Sequence, residues 1–326
     1  MKLPRRQFLH LVAGAAALPV ASRIASAQAW PARPIRALAT GGAGSAVDVI
    51  SRVVFDQLSN QLGQPIIVEN RVGAGGTIAV AAVAKAEPDG YTILANSSSL
   101  TVAPWLYAKL PFDTARDIAG VAMFGSLPSV LVTSPAKGRK TIETFVAAAK
   151  AKPGSFNYTS TGVGSATHMG AERFRVSAGM EAVHVPVKSG PEALTEILSG
   201  RADFYLCPIA TALPFIREGK LLGLVATGPN RAPELPDVPT TSEAGFTNAD
   251  YPLWIGLFVP AKTPRDIVNR LHDETVKAMV VPRTRARLST LGVVPMQMTP
   301  DQFDARIRDE IATNAVLVRA AGIKPE

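Results

Sequence analysis

The chain has 326 residues, 47% hydrophobic and 18% charged, with a net charge of +8 and a single cysteine. That length makes about two domains with full cores, and the apolar fraction is too high for a disordered protein. One cysteine excludes an internal disulfide, a cysteine-rich zinc site and a CxxC redox motif.

Residues 1–27 read as an export signal. Lys2, Arg5 and Arg6 open it, an apolar run from Phe8 to Ala21 follows, and Ala25-Ser26-Ala27 supplies small residues before a cut after Ala27. The run is too short to span a bilayer. Arg5-Arg6-Gln7-Phe8-Leu9 resembles a twin-arginine signature, with Pro4 where Ser or Thr is usual. This segment holds half of the net charge, and no window carries five or six Lys and Arg, so nucleic-acid binding is not expected. The expected address is the periplasm.

Short apolar runs then alternate with amphipathic stretches. Strands are predicted at Ile35–Ala39, Pro65–Glu69 and Tyr91–Ala95, with helices over Val47–Leu62 and Gly76–Lys85 between them. A further strand is predicted at Val130–Thr133. Thr141 precedes Ile142, Phe145, Val146 and Ala149, the spacing of one helix face behind an N-cap. Strands at Phe156–Thr159, Ala182–Pro186, Ala202–Leu206 and Leu221–Thr227 follow, with helices over Ser165–Ala178 and Pro191–Leu198. Leu253–Val259 is the last apolar strand. Thr263-Pro264 and Thr299-Pro300-Asp301-Gln302 announce two C-terminal helices. This alternation implies parallel β-α-β units. Ile118–Thr133 and Tyr251–Pro260 are the expected crossings between two lobes, giving 28–130 plus 252–326 as lobe 1 and 131–251 as lobe 2.

Two segments share one local design. Gly41, Gly42, Gly44, Ser45 and Ala46 lie between a strand and a helix, as do Ser160, Thr161, Gly164, Ser165, Ala166 and Thr167. A helix N-terminus offers unpaired N–H groups and a positive dipole end, and glycine lets an anion approach the backbone. Asn96, Ser97 and Ser98 follow the third strand and belong to the same sheet edge, where ligands of open α/β sheets sit. Neither glycine loop completes a P-loop or a dinucleotide fingerprint. Asp48, in the first helical turn, favours the dipole and caps N–H groups. His168 lies one turn after Ser165 and is read as a loop hydrogen-bonding residue, with general base as the alternative. His184 is read as structural, His272 as a surface residue and Cys207 as a buried inert thiol that borders the pocket. No catalytic motif is present, and an enzyme is not expected; an exported serine hydrolase using Ser45 or Ser165 is a remote alternative. No cofactor or metal is expected.

The motifs taken together resemble the Bug family, the extracytoplasmic solute receptors of tripartite tricarboxylate transporters. They are Gly63-Gln64-Pro65, Glu69-Asn70-Arg71, Gly73-Ala74-Gly75-Gly76, Glu87-Pro88-Asp89-Gly90-Tyr91 and Leu110-Pro111-Phe112-Asp113. Ser160 through Ser165 with His168, His184-Val185-Pro186 and Leu235-Pro236-Asp237-Val238-Pro239-Thr240 complete the set. The resemblance implies a type II periplasmic binding-protein fold, two α/β lobes joined by a two-strand hinge. It further implies a ligand with a carboxylate, held between the two glycine loops and delivered to transporter membrane subunits, by a protein expected to be a monomer. A ligand sensor of the same fold is the alternative. Gly41 stands where the family commonly has an aromatic residue. Cys207-Pro208 stands where amino-acid-binding members often have Asp followed by Asn. Both departures point to a carboxylate without an amino group, bulky or aromatic.

Overall fold

The protein is described here by a computed structural model covering residues 30–325, so the export signal expected over 1–27 lies outside the described residues. The chain starts with β1 (Ile35–Ala39), α1 (Ala46–Leu62), β2 (Ile66–Asn70), α2 (Thr77–Ala84) and β3 (Thr92–Ser97). Two short helices, α3 (Ala103–Leu106) and α4 (Thr114–Asp117), lead to β4 (Ile118–Ser126), and two residues later the chain enters β5 (Ser129–Thr133). There follow α5 (Ile142–Ala151), β6 (Phe156–Ser160), α6 (Ala166–Ala178), β7 (Ala182–Pro186), α7 (Gly190–Leu198), β8 (Phe204–Pro208), α8 (Ile209–Arg217) and β9 (Leu222–Ala226). After a long connection β10 (Trp254–Pro260) precedes α9 (Arg265–Val280), α10 (Pro282–Thr290) and α11 (Pro300–Ala320).

The strands make two five-stranded sheets, ordered β2-β1-β3-β10-β4 and β7-β6-β8-β5-β9. The two orders match position by position: β6 answers β1, β7 answers β2, β8 answers β3, β5 answers β10 and β9 answers β4. The sheets are mixed, whereas the sequence pattern implied parallel units throughout. β1 pairs in parallel with β2 and β3, and β6 with β7 and β8. β10 and β5 run antiparallel to their neighbours. Each of these two is the strand the chain enters directly from the other sheet, without a crossover helix to reverse it.

Each sheet has apolar side chains on both faces. In the first, Ile35, Ala37, Val54, Phe55, Leu58 and Phe124 pack beneath α1, α9 and α10. The opposite face holds Leu38, Leu94, Trp254, Phe258 and Phe303 beneath α2 and α11. Phe303 lies across adjacent β4 and β10, where a Cβ on Gly120 or Gly256 would come within 2.7 Å of its ring. The second sheet buries Phe145, Phe156, Tyr158, Phe174 and Phe204 on one face and Val130, Tyr205, Cys207 and Ile197 on the other. A fifth cluster joins the two sheets: Val102, Leu106, Leu317 and Val318 meet Met169 of α6 and Tyr251 of the second connection.

Local signals were kept or revised for definable reasons. Thr141 and Thr299 cap α5 and α11 with full capping boxes. Thr263 does not cap: Pro264 occupies the cap position and the Thr263 hydroxyl donates to Pro260 O at 2.7 Å. Ile118–Ser126 is a nine-residue sheet strand rather than a free crossing, and the crossing itself is Leu127-Pro128. His272 is half-buried rather than a surface residue, with Nδ1 2.9 Å from Val121 O.

Candidate functional site

The loops after β1 and β6 occupy equivalent places at the carboxyl ends of equivalent strands. Their backbones agree closely. Gly44 and Gly164 both take the left-handed region, at φ 78° and 73°. Ser45 and Ser165 are the N-caps of α1 and α6, at φ −70° and −64°. Ser45 N–H donates to Gly42 O at 3.0 Å and Ser165 N–H to Gly162 O at 3.2 Å. The cap hydroxyls accept from Asp48 N–H and His168 N–H, at 3.3 and 3.2 Å. Among the described residues the first-turn amides behind each cap, Ala46 and Val47 on α1 and Ala166 and Thr167 on α6, have no acceptor.

The two loops belong to one region. A Cβ on Gly75, in the turn before α2, would lie 3.5 Å from Val163 O, and one on Gly76 would meet Thr40. Gly164 lies directly against Leu106 Cδ1, which leaves no room for a side chain. The second loop therefore rests on the Gly73–Gly76 turn and on Leu106, both attached to the first sheet. The third expected segment joins them. Thr40 Oγ1 donates to Asn96 Oδ1 at 2.8 Å, and Ser97 N–H and the Ser99 hydroxyl donate to the same oxygen at 2.7 and 3.2 Å. These bonds fix the amide orientation and leave Asn96 Nδ2 as a donor without a partner among the described residues. Ser98 is fully buried and its hydroxyl is unpartnered.

Charge is nearly absent from both loops. Asp48 is buried, which works to raise its pKa, but hydrogen bonds from Asn70, Gly44 and Arg52 outweigh that and hold the carboxyl below its usual range. Both its oxygens are engaged: Oδ2 takes Gly44 N–H, and Oδ1 takes Asn70 Nδ2 and Arg52 Nε at 2.9, 2.8 and 2.7 Å. Gly41 contributes its carbonyl, accepting from Asn70 Nδ2 at 2.8 Å. In the second loop Ser160 Oγ is 2.7 Å from His184 Nε2, and Thr161 N–H donates to Thr167 Oγ1 at 3.1 Å. His168 does not open toward the loop surface. It is buried, accepts Gly164 N–H at Nδ1 and stacks on His184.

Cys207 has no exposed surface and packs in the apolar cluster beneath α7 and α8. Burial raises its thiol pKa far out of the reactive range. As an even-numbered neighbour would alternate to the opposite face of β8, Cys207 shares its face with Tyr205, away from α6. It is thus not on the open surface of the loops. Sequence reasoning overlooked the apolar lip beside them. Val72 and Ile78 are more than half exposed, Val72 next to Gly42 and Ile78 against Gly73. Their signal was the Val72–Gly76 stretch itself, an apolar residue followed by a turn too glycine-rich to cover it.

The chain matches the model of the tripartite tricarboxylate transporter family receptor over residues 50–323. It is 33% identical to protein BugT of Bordetella pertussis over 92% of each chain. Among solved structures, it is similar to Rhodopseudomonas palustris Rpa4515 with adipate, at TM-score 0.84 and 26% identity over 91% of this chain and 100% of that one. MatC of the same organism, with bound malate, superposes at TM-score 0.82 and 29% identity over 89% of this chain and 100% of that one. With the two matched sheets, the paired loops and these likenesses in place, the fold is that of a two-lobed periplasmic binding protein, and the chain belongs to the Bug-type receptor family of tripartite tricarboxylate transporters.

Proposed function

We propose that the protein is a periplasmic receptor that captures a small organic carboxylate without an amino group between two lobes and delivers it to the membrane subunits of a tripartite tricarboxylate-type transporter. Residues 30–128 and 252–325 form one lobe and 129–251 the other, the crossing at Leu127-Pro128 moving the expected boundary at 130 to the start of β5, and residues 1–27 are removed on export. The observation that carries this reading is the pair of matched loops, each with two unspent helix amides and a cap hydroxyl. Such donors hold a carboxylate without help from Lys or Arg. The family and the adipate- and malate-bound neighbours support the ligand class.

The missing amino group follows from the acceptors. An ammonium needs a carboxylate or several free carbonyls, and the carboxylate of the loops, Asp48, is fully engaged. Val72 and Ile78 at the lip favour an apolar remainder. No catalytic group is used; capture is a population shift towards the closed arrangement. Ligand contacts are assigned to Gly42, Ser45, Ala46, Asn96, Thr161, Ser165, Ala166 and Thr167.

Native mass spectrometry of protein purified without refolding should show a retained small acid. A thermal-shift panel of adipate, malate, benzoate, aspartate and glutamate follows. A ligand at 100 times its dissociation constant adds about 2.7 kcal/mol of stability. Strong stabilisation by aspartate or glutamate would reject the amino-free class.

A further inference from the structure

The two loops carry one pattern over seven residues, Gly42-Ala43-Gly44-Ser45-Ala46-Val47-Asp48 and Gly162-Val163-Gly164-Ser165-Ala166-Thr167-His168. The third residue of each helix reaches back over its own N-terminus and fastens the glycine in front of the cap. Asp48 Oδ2 accepts Gly44 N–H at 2.9 Å, and His168 Nδ1 accepts Gly164 N–H at 3.2 Å. The geometry is shared and the chemistry is not.

We propose that His168 is a positioning residue of the ligand site: its neutral imidazole holds Gly164, thereby aiming the Ala166 and Thr167 amides at the ligand, and a proton on Nδ1 would release the loop. The effect on ligand rests on the receptor reading; the hydrogen bond does not. Accepting through Nδ1 places the ring hydrogen on Nε2. The Tyr158 and His184 rings stack on His168, with centroids 6.2 and 4.0 Å away. On its own helix Glu172 is spent on the Tyr158 hydroxyl and on Arg175, whose Nη2 also donates to Ala321 O at 3.0 Å. Glu181 and Lys324 complete the charged groups around a depression of about 540 Å³ that His168 and Val163 also line. The depression gives protons a path to the ring; Glu172 is committed to Tyr158 and Arg175, and no hydrogen bond joins Glu181 to His168. Burial, and then the Arg175 charge, lower His168 to about 4. Burial, and then His168, lower His184 to about 3. The fastening therefore persists well into the acidic range, where an ordinary histidine would already carry a proton.

Two variants separate fastening from packing. His168→Asn places an amide oxygen near the position of Nδ1 and cannot be protonated there. His168→Leu fills similar volume without an acceptor. Both lose the ring stack, so a packing role alone affects them alike. Hydrogen exchange at the Gly164 amide reads the bond in ligand-free protein, and titration with adipate, malate and benzoate at pH 7.5 reads its consequence. Gly164 should stay protected in wild type and H168N and exchange at least about tenfold faster in H168L. The tightest of the three probes should bind H168N within about threefold of wild type and H168L about tenfold more weakly. Equal exchange in the two variants would overturn the fastening, and equal affinities would overturn its role in binding. If none of the three acids binds wild type, the receptor reading fails in its stated class while the Gly164 exchange still decides on the fastening. Should H168L not fold, the ¹⁵N spectrum of wild-type histidines decides: the bond requires the Nε2–H tautomer at His168, and the Nδ1–H tautomer would refute it.

Discussion

Acid should weaken this protein through its buried histidine pair at pH values above the ordinary carboxylate range. An unfolded histidine has a pKa near 6.5, and His168 in the native protein is lowered to about 4, chiefly by burial. Above pH 6.5 the ring is neutral in both states and native stability is complete. As the pH falls the unfolded chain takes up a proton that the native state refuses, so stability is lost progressively down to about pH 4. At pH 5 the loss from His168 alone is about 2 kcal/mol, and at full protonation about 3 kcal/mol. His184, lowered to about 3, acts in the same direction, less strongly because its ring is half-exposed to solvent. Burial raises Glu310 and Asp304, which works in the opposite direction. Those carboxyls are common to wild type and H168N, so they cancel in a difference. The assay is urea unfolding from pH 7.5 to 5.0, followed by circular dichroism, for both proteins without ligand. H168N should be the less stable at pH 7.5, because it lacks the stack. Its deficit should shrink by about 2 kcal/mol towards pH 5. A deficit that stays constant within about 0.5 kcal/mol across that range would refute a neutral, buried His168.

The contact between the lobes makes two glycines unequal. Gly44→Ala should cost about 1 kcal/mol, for a left-handed backbone with open space around it. Gly164→Ala should cost about 1–3 kcal/mol more, because its Cβ collides with Leu106, and Leu106→Ala in the same chain should recover part of that; denaturant melts compare them. Arg175→Met strips the cation from buried Glu172 and the tie to Ala321 O, at a cost of about 3 kcal/mol, and adding Glu172→Gln should restore part of it. Native Cys207 should resist thiol reagents for hours and react fully in denaturant.

How much the sequence revealed depended on whether the cause was local. The two glycine loops were legible because cap and glycine chemistry is written within a few residues: Ser45 and Ser165 cap as their positions demand. The equivalence of the two sheets was not, since strand order resides in hydrogen bonds between distant segments. Only the seven-residue loop pattern carries a trace of it in residue types. Strand β4 was misread as a connection because Gly120 and Gly125 looked like interruptions. Gly120 instead makes room for Phe303, and Gly125 for the Val294 carbonyl, at a φ of 146°. Neither partner is near in sequence. His168 was visible one turn after its cap, but its function depends on which nitrogen faces Gly164, and no spacing rule supplies that. Cys207 is buried as expected, but it packs beneath α7 and α8 rather than bordering the loops.

The different fastenings of two equal loops bear on how an anion is recognised. Asp48 is ionised, but Arg52 lies against it, so the start of α1 has almost no net formal charge. His168 is neutral, so the start of α6 has none. With no Lys or Arg in either loop, attraction for a carboxylate falls to amide dipoles and hydroxyls aimed at short range. Such dipoles decay faster with distance than a charge does and are less screened by salt once water is excluded. They steer little and discriminate by fit. On the proposed function, selectivity arises only when both loops reach the ligand together, with Val163 and Gly164 in contact with the opposite lobe. On that reading the loop assigned to the ligand also holds the two lobes in contact, so weakening the hold on Gly164 should weaken both at once.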